Sequence, residues 1–174
     1  MMIDPARMDW PRLVPFAILA ASIGALIIAY TAELAFGIEP CILCLYQRIP
    51  YALAGALAVA ALLAPETWGP RPKVWAVIGA AVAFLAGAEI AFYHVGVEQH
   101  WWRSVASCGV AASDPEPETV EELRRLLTEA RPTKTCDEVD WALFGVSMAT
   151  YNVAASLTLA YGAFWGAQRM RRTP

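Results

Sequence analysis

The sequence predicts an all-α membrane protein: one integral membrane domain over residues 1–174, a four-transmembrane-helix bundle with a short amphipathic interfacial helix in its long loop. Three observations predict it. First, 58% of the residues are hydrophobic and only 17% charged, with a mean hydropathy of +0.44, whereas a soluble domain carries about 25% charged residues. Second, the apolar residues gather into four runs, about 14–36, 44–63, 74–95 and 143–165. Each approaches or exceeds the ~20 residues that cross a bilayer core as a helix. Third, the tryptophans fall at the ends of these runs and none lies mid-run, the pattern of an aromatic interface belt.

The first run exceeds the ~7–15 residues of a signal-peptide core. Its leader balances Arg7 and Arg12 against Asp4 and Asp9, so it reads as a retained span. Glu33 lies near its far end. The connection 37–43 carries Pro40, which suits the first turn of a helix because its missing N–H has no intrahelical partner there. The second span contains Pro50, which should loosen or kink it. Pro65, Gly69, Pro70 and Pro72 make a tight turn, so the second and third spans are expected to be antiparallel neighbours.

After the third span comes the long loop, about 96–140. His100-Trp101-Trp102 suits a membrane interface. Thr119-Val120-Glu121-Glu122 reads as a capping box. Behind it Val120, Leu123, Leu127 and Ala130 share one face, predicting an amphipathic helix on the membrane surface. Glu89, inside the third span, reads as a helix-packing or interface residue.

Charge sets the expected topology. The short segments at one end hold Arg7, Arg12, Arg71, Lys73, Arg169, Arg171 and Arg172; the much longer loop holds Arg103, Arg124, Arg125, Arg131 and Lys134. By density, both termini are cytoplasmic. Trp10, Trp68, Trp75 and Trp165 then share the inner face, and Trp101, Trp102 and Trp141 the outer one. Cys41 and Cys44 follow span one while Cys108 and Cys136 follow span three, so parity brings all four to the same, non-cytoplasmic side. In a bacterium that side of the inner membrane is the periplasm, where disulfides persist. The net charge of −3 and pI near 5.4, without a basic stripe, argue against nucleic acid.

Four cysteines allow three pairings; the positions favour Cys41–Cys44 and Cys108–Cys136. Loop closure contributes about 2 kcal/mol for the first pair and about 3.6 kcal/mol for the second. A Cys-x-x-Cys gains little as a staple and suits exchange, because strained bridges are the labile ones. At a helix N-terminus the thiols meet free amides and the positive dipole end, which lower thiol pKa. Arg48, four residues after Cys44, adds a cation on the same face, where an intramembrane charge marks function. Zinc would need two more ligands among Cys108, Cys136, His94 and His100. The second cysteine pair lacks ligand spacing and oxidation would compete, so no metal is expected. Two dithiols on one side imply a relay through mixed disulfides. No nucleotide or haem fingerprint is present, and a dithiol at the hydrocarbon boundary points to a lipid-soluble acceptor, a quinone.

The run CILCLYQR, the Tyr93-His94 pair, the loop cysteines and CDEVDWALFGVSMATYN resemble the disulfide bond formation protein B (DsbB) family over nearly the whole chain. The resemblance implies a bundle that reoxidises a soluble periplasmic thioredoxin-fold oxidase (DsbA-like) and passes electrons to ubiquinone or menaquinone. It implies that Cys108 forms the mixed disulfide with that partner and that Cys136 completes the loop pair. Cys41 would exchange with Cys136, and Cys44 would face the quinone as a thiolate. Arg48 would stabilise that thiolate, and His94 would bond a quinone oxygen. Ala149 and Tyr151 stand where the family often has Pro and Trp, which bears on quinone preference. A rival resemblance is the vitamin K epoxide reductase type, whose loop pair precedes its Cys-x-x-Cys; here the order is reversed. A membrane interaction protein merely stapled by disulfides is the non-enzymatic alternative.

Overall fold

The computed structural model describes residues 9–103, 119, 120, 136, 137, 139 and 141–172. Four long helices dominate: α1 (Trp10–Phe36), α2 (Ile42–Leu63), α3 (Pro70–Glu98) and α4 (Met148–Arg172). Three of them, α1, α2 and α3, are long and apolar enough to cross a membrane, and the chain is a multi-pass membrane protein. α4 is as long but more polar, carrying Thr, Asn, Ser and Gln among its apolar residues. The amphipathic helix expected behind Thr119 and the position of Cys108 lie outside the described residues.

Each boundary has a local cause. α1 opens on Pro11 and closes on Gly37 at φ 66°, a left-handed cap glycine tolerates best, with Ile38 N–H bonded to Ala32 O at 3.2 Å. α2 opens on Cys41, whose extended backbone and sulfur cap the helix by accepting from Cys44 N–H at 3.3 Å. α2 runs on through Pro50, which is buried. A Cβ at Gly87 of α3 would lie 3.1 Å from its ring, so a side chain there would crowd the contact. Residues 64–69, with a 3₁₀ turn at Glu66–Trp68, return the chain directly into α3, and α2 and α3 pack as neighbours.

Two boundaries differ from the sequence expectation. α3 continues past Val95 to Glu98, because His94 and Glu98 form an i,i+4 pair inside the protein. The fourth helix begins at Met148, not at Leu143. Ala142–Leu143 instead pairs antiparallel with Val146–Ser147, so a small β-hairpin interrupts the all-helical plan. Its turn residues Phe144 and Gly145 sit at φ 52° and 78°, the twist that two-residue hairpins favour. Ser147 Oγ then caps α4 through Thr150 N–H at 3.3 Å.

α3 is the central helix, packed along α2 and α4, while α1 leans chiefly on α2. The core is built from small residues with a few large ones, including Ala54, Ala58, Ala80, Ala163, Val77, Phe84 and Met170. Without a hydrophobic drive inside lipid, close backbone approach has to carry the packing. Large apolar side chains such as Phe16, Ile28, Leu34 and Leu63 point outward, as a lipid-facing surface requires. Glu89 is exposed on α3 rather than packed against a neighbouring helix. At one end of the bundle Trp10 meets Trp165 edge-on at 5.4 Å and Arg171 lies over Trp75. The tryptophans assigned to one face by sequence do gather there.

Candidate functional site

At the other end the Cys-x-x-Cys begins α2. Cys41 Sγ donates to Cys44 Sγ at 3.0 Å, and Cys41 Sγ lies 3.6 Å from His94 Nε2. Cys41 is buried, with Leu43, Val97 and Cys136 packed in one apolar cluster that also touches Cys44 and Tyr93. Cys136, nearly a hundred residues downstream, is thereby brought to the first dithiol, and its backbone also bonds the His94 ring.

The hydrogen bond to Cys44 and then burial push the Cys41 thiol up to about 12, against the opposing bond from His94. For Cys41 this corrects the expectation of a lowered thiol. The helix N-terminus does engage its sulfur, but Cys41 holds the shared proton and Cys44 receives it. The arrangement makes Cys44 the acceptor end of the pair.

Cys44, Gln47, Arg48 and Tyr51 recur at i, i+3, i+4 and i+7, one face of α2, and all line a cavity of about 410 Å³. α1 contributes Glu33, α3 contributes His94 and Glu98, α4 contributes Asn152, and the hairpin contributes Leu143. That volume falls within the ~300–1,000 Å³ of small-molecule sites.

Arg48 is not directed at Cys44. Its Nη1 lies 2.7 Å from Glu33 Oε2, and its guanidinium stacks 4.6 Å over the Tyr30 ring. A guanidinium in an apolar segment needs a counter-ion, and α1 supplies one. Arg48 still borders the same cavity as Cys44.

His94 is buried, and both ring nitrogens are engaged. Asn152 Nδ2 donates to Gln47 Oε1 at 2.5 Å, and Gln47 Nε2 meets His94 Nδ1 at 2.8 Å. This places the ring proton on Nε2, the nitrogen facing Cys41 and, at 3.9 Å, Glu98. Behind Asn152 stand Tyr51 Oη at 2.5 Å and Ser156 Oγ, 3.0 Å from Tyr51. Glu98 Oε2 accepts from Ser147 Oγ at 2.5 Å. A hydrogen-bonded chain thus runs from α4 across α2 to the thiols. Sequence reasoning missed Gln47, Asn152, Tyr51, Glu98, Ser147 and Tyr30. The available signal was the polar face of α2 inside an apolar run, since polar groups at membrane depth are costly.

The family model described as Disulfide bond formation protein DsbB matches residues 11–166. The chain belongs to the DsbB family. Disulfide bond formation protein B of Xanthomonas axonopodis pv. citri is 33% identical over 174 residues, 98% of each chain. Its counterpart in Xanthomonas euvesicatoria pv. vesicatoria is 32% identical with the same coverage. The protein of that name in Xylella fastidiosa is 31% identical over 87% of each chain. No solved structure matches. Membership in the DsbB family sets aside the vitamin K epoxide reductase resemblance.

Proposed function

We propose that this chain is a membrane thiol:quinone oxidoreductase of the bacterial inner membrane. It reoxidises a soluble, periplasmic, DsbA-like thioredoxin-fold oxidase and delivers the electrons to ubiquinone or menaquinone. The observation that carries this reading is the shared cavity wall on which Cys44 stands one turn from Arg48, with His94 and Cys41 behind. Apolar walls with a few convergent polar groups suit a planar ring bearing two carbonyl oxygens. A quinone bound there supplies a sink for two electrons and two protons.

The residues divide the work. Cys108 takes the partner's thiolate in a mixed disulfide, and Cys136 completes the loop pair. Cys136, released as a thiolate, attacks the Cys41–Cys44 disulfide at Cys41, forming a Cys41–Cys136 disulfide as Cys44 leaves with the electron pair. The partner's second thiol then resolves the mixed disulfide, and the freed Cys108 attacks Cys136, re-forming the loop disulfide and releasing Cys41. His94 Nε2–H holds the Cys41 sulfur, and Arg48 presents positive charge to the cavity. Re-forming the Cys41–Cys44 disulfide releases two electrons and two protons, matching what the partner dithiol gave up. Both termini are cytoplasmic, α4 is the fourth span and the cysteines are periplasmic. The arginine-rich end opposite the thiols, with Arg169, Arg171 and Arg172 in the last turn of α4, supports that sidedness.

Mixing the purified protein in detergent with a reduced thioredoxin-fold substrate and a soluble quinone tests the reading. Quinone reduction is expected for the intact protein and lost in Cys44→Ser. No turnover with either quinone type refutes it, as does full turnover by Cys44→Ser. Arg48→His should raise KM for quinone without unfolding the protein; an unchanged KM removes Arg48 from the site.

A further inference from the structure

The same end of the bundle carries a second chemistry. Cys41 Sγ, Cys44 Sγ and the ring nitrogen of His94 all lie within 4.8 Å of one another. We infer that the reduced Cys41–Cys44 pair and His94 form a binding site for a thiophilic divalent cation of the zinc class, which holds the centre in its reduced state. The sequence offered His94 only as one of four candidate zinc ligands and argued against a metal; His94 lies 53 residues from Cys41 and reaches it only when α3 packs on α2.

The geometry is close to what such an ion needs. Zinc bonds of about 2.3 Å to sulfur and 2.0–2.1 Å to nitrogen, set tetrahedrally, separate two sulfurs by about 3.8 Å and sulfur from nitrogen by about 3.6 Å. The Cys41–His94 separation is 3.6 Å; the two sulfurs, now 3.0 Å apart, open by roughly 0.8 Å. Glu98 Oε1, 3.9 Å from His94 Nε2 and buried with it, lies outside this group of three.

Charge and the groups behind the ligands agree. A divalent cation with two thiolates is neutral, and its entry displaces two thiol protons. Neutrality favours it at an apolar boundary over two bare thiolates. Arg48, the neighbouring cation, is already matched by Glu33. Ligating nitrogen needs the His94 proton on Nδ1, and Gln47 can accept it there by reversing its amide. Asn152 then reverses too, giving Oδ1 to Gln47 and Nδ2 to Tyr51, and Tyr51 donates to Ser156, whose hydroxyl gives up its 3.3 Å bond to Asn152 Oδ1. Metal-bound histidines are held in this way through their second nitrogen.

Disulfide and metal exclude each other, so the site exists only in the reduced protein. Titrating Zn²⁺ into the reduced full-length chain in detergent should give one ion per chain and release two protons. It should also protect Cys41 and Cys44 from alkylation. Zinc-edge X-ray absorption should read two sulfur ligands and one imidazole nitrogen. The oxidised protein and Cys44→Ser should lose binding at least 100-fold, and Gln47→Leu about 10–100-fold. Undiminished binding by Cys44→Ser or by the oxidised protein overturns the inference, as does binding by the wild type without nitrogen in its shell. If His94→Gln does not fold, the wild-type absorption spectrum alone decides the histidine ligand. The outcome is independent of quinone turnover.

Discussion

Replacing Gln47 with Leu probes the site most directly, because one side chain joins three helices. Leu keeps the volume but removes the 2.8 Å contact to His94 Nδ1 and the 2.5 Å bond from Asn152 Nδ2. His94 is 4% exposed, so orphaning its ring nitrogen costs about 1–3 kcal/mol, and half-buried Asn152 adds a smaller share. The sum, about 2–4 kcal/mol, corresponds to roughly 4–16 °C in a chain of this size. Thermal unfolding in detergent reads the loss. Gln47→Glu keeps an acceptor for Asn152 and for a protonated His94, so it should recover most of it. A shift below about 1 °C in Gln47→Leu, or an equal loss in Gln47→Glu, would refute the hydrogen-bond argument.

Three further outcomes follow from named contacts. The Cys41 thiol is raised in the folded protein, so its contribution to stability is present below the ordinary thiol pKa of about 9 and fades as pH climbs toward about 12. Cys44→Ala removes the largest cause, so the pH profile of Cys41 alkylation in that reduced variant should move to lower pH; an unmoved profile contradicts the assignment. Ser147→Ala strips Glu98 Oε2 of its 2.5 Å donor. This should cost about 1–3 kcal/mol in thermal unfolding, and no change would mean that water already serves that oxygen. Gly96→Ala puts a methyl into the Trp102 ring, which now stacks on Tyr93 at 5.9 Å and donates to Tyr93 O at 3.0 Å. About 1–3 kcal/mol should be lost, with indole fluorescence shifted to the red; unchanged emission would show that Trp102 keeps its seat.

Much of the architecture was legible from one-dimensional signals. Apolar runs long enough for lipid mark α1, α2 and α3, and the Gly37 and Pro70 punctuation fixes their ends to within a few residues. The family resemblance rested on CILCLYQR, Tyr93-His94, the loop cysteines and CDEVDWALFGVSMATYN, most of it read from residues that are neighbours in sequence. The hairpin at Ala142–Ser147 was hidden, because Phe144-Gly145 sits inside an apolar stretch and reads as a continuing span. The Arg48–Glu33 pair was hidden for a different reason. Helical spacing pointed Arg48 along its own helix, whereas the nearest counter-charge stands on α1.

The sequence by itself determined that this is a multi-pass membrane chain with a helix-opening dithiol, because hydropathy, cysteine spacing and capping act over neighbouring residues. The tertiary structure decided which side chains attend that dithiol. His94 and Cys136 are remote in sequence and share no periodicity with Cys41. Only the packing of α3 on α2, with α4 closing over both, sets His94 against the sulfur and threads the polar chain from Tyr51 to it. The hydrogen bond to Cys44 and then burial reverse the expectation for the Cys41 thiol; the first is local to the motif, while desolvation depends on what has folded over it.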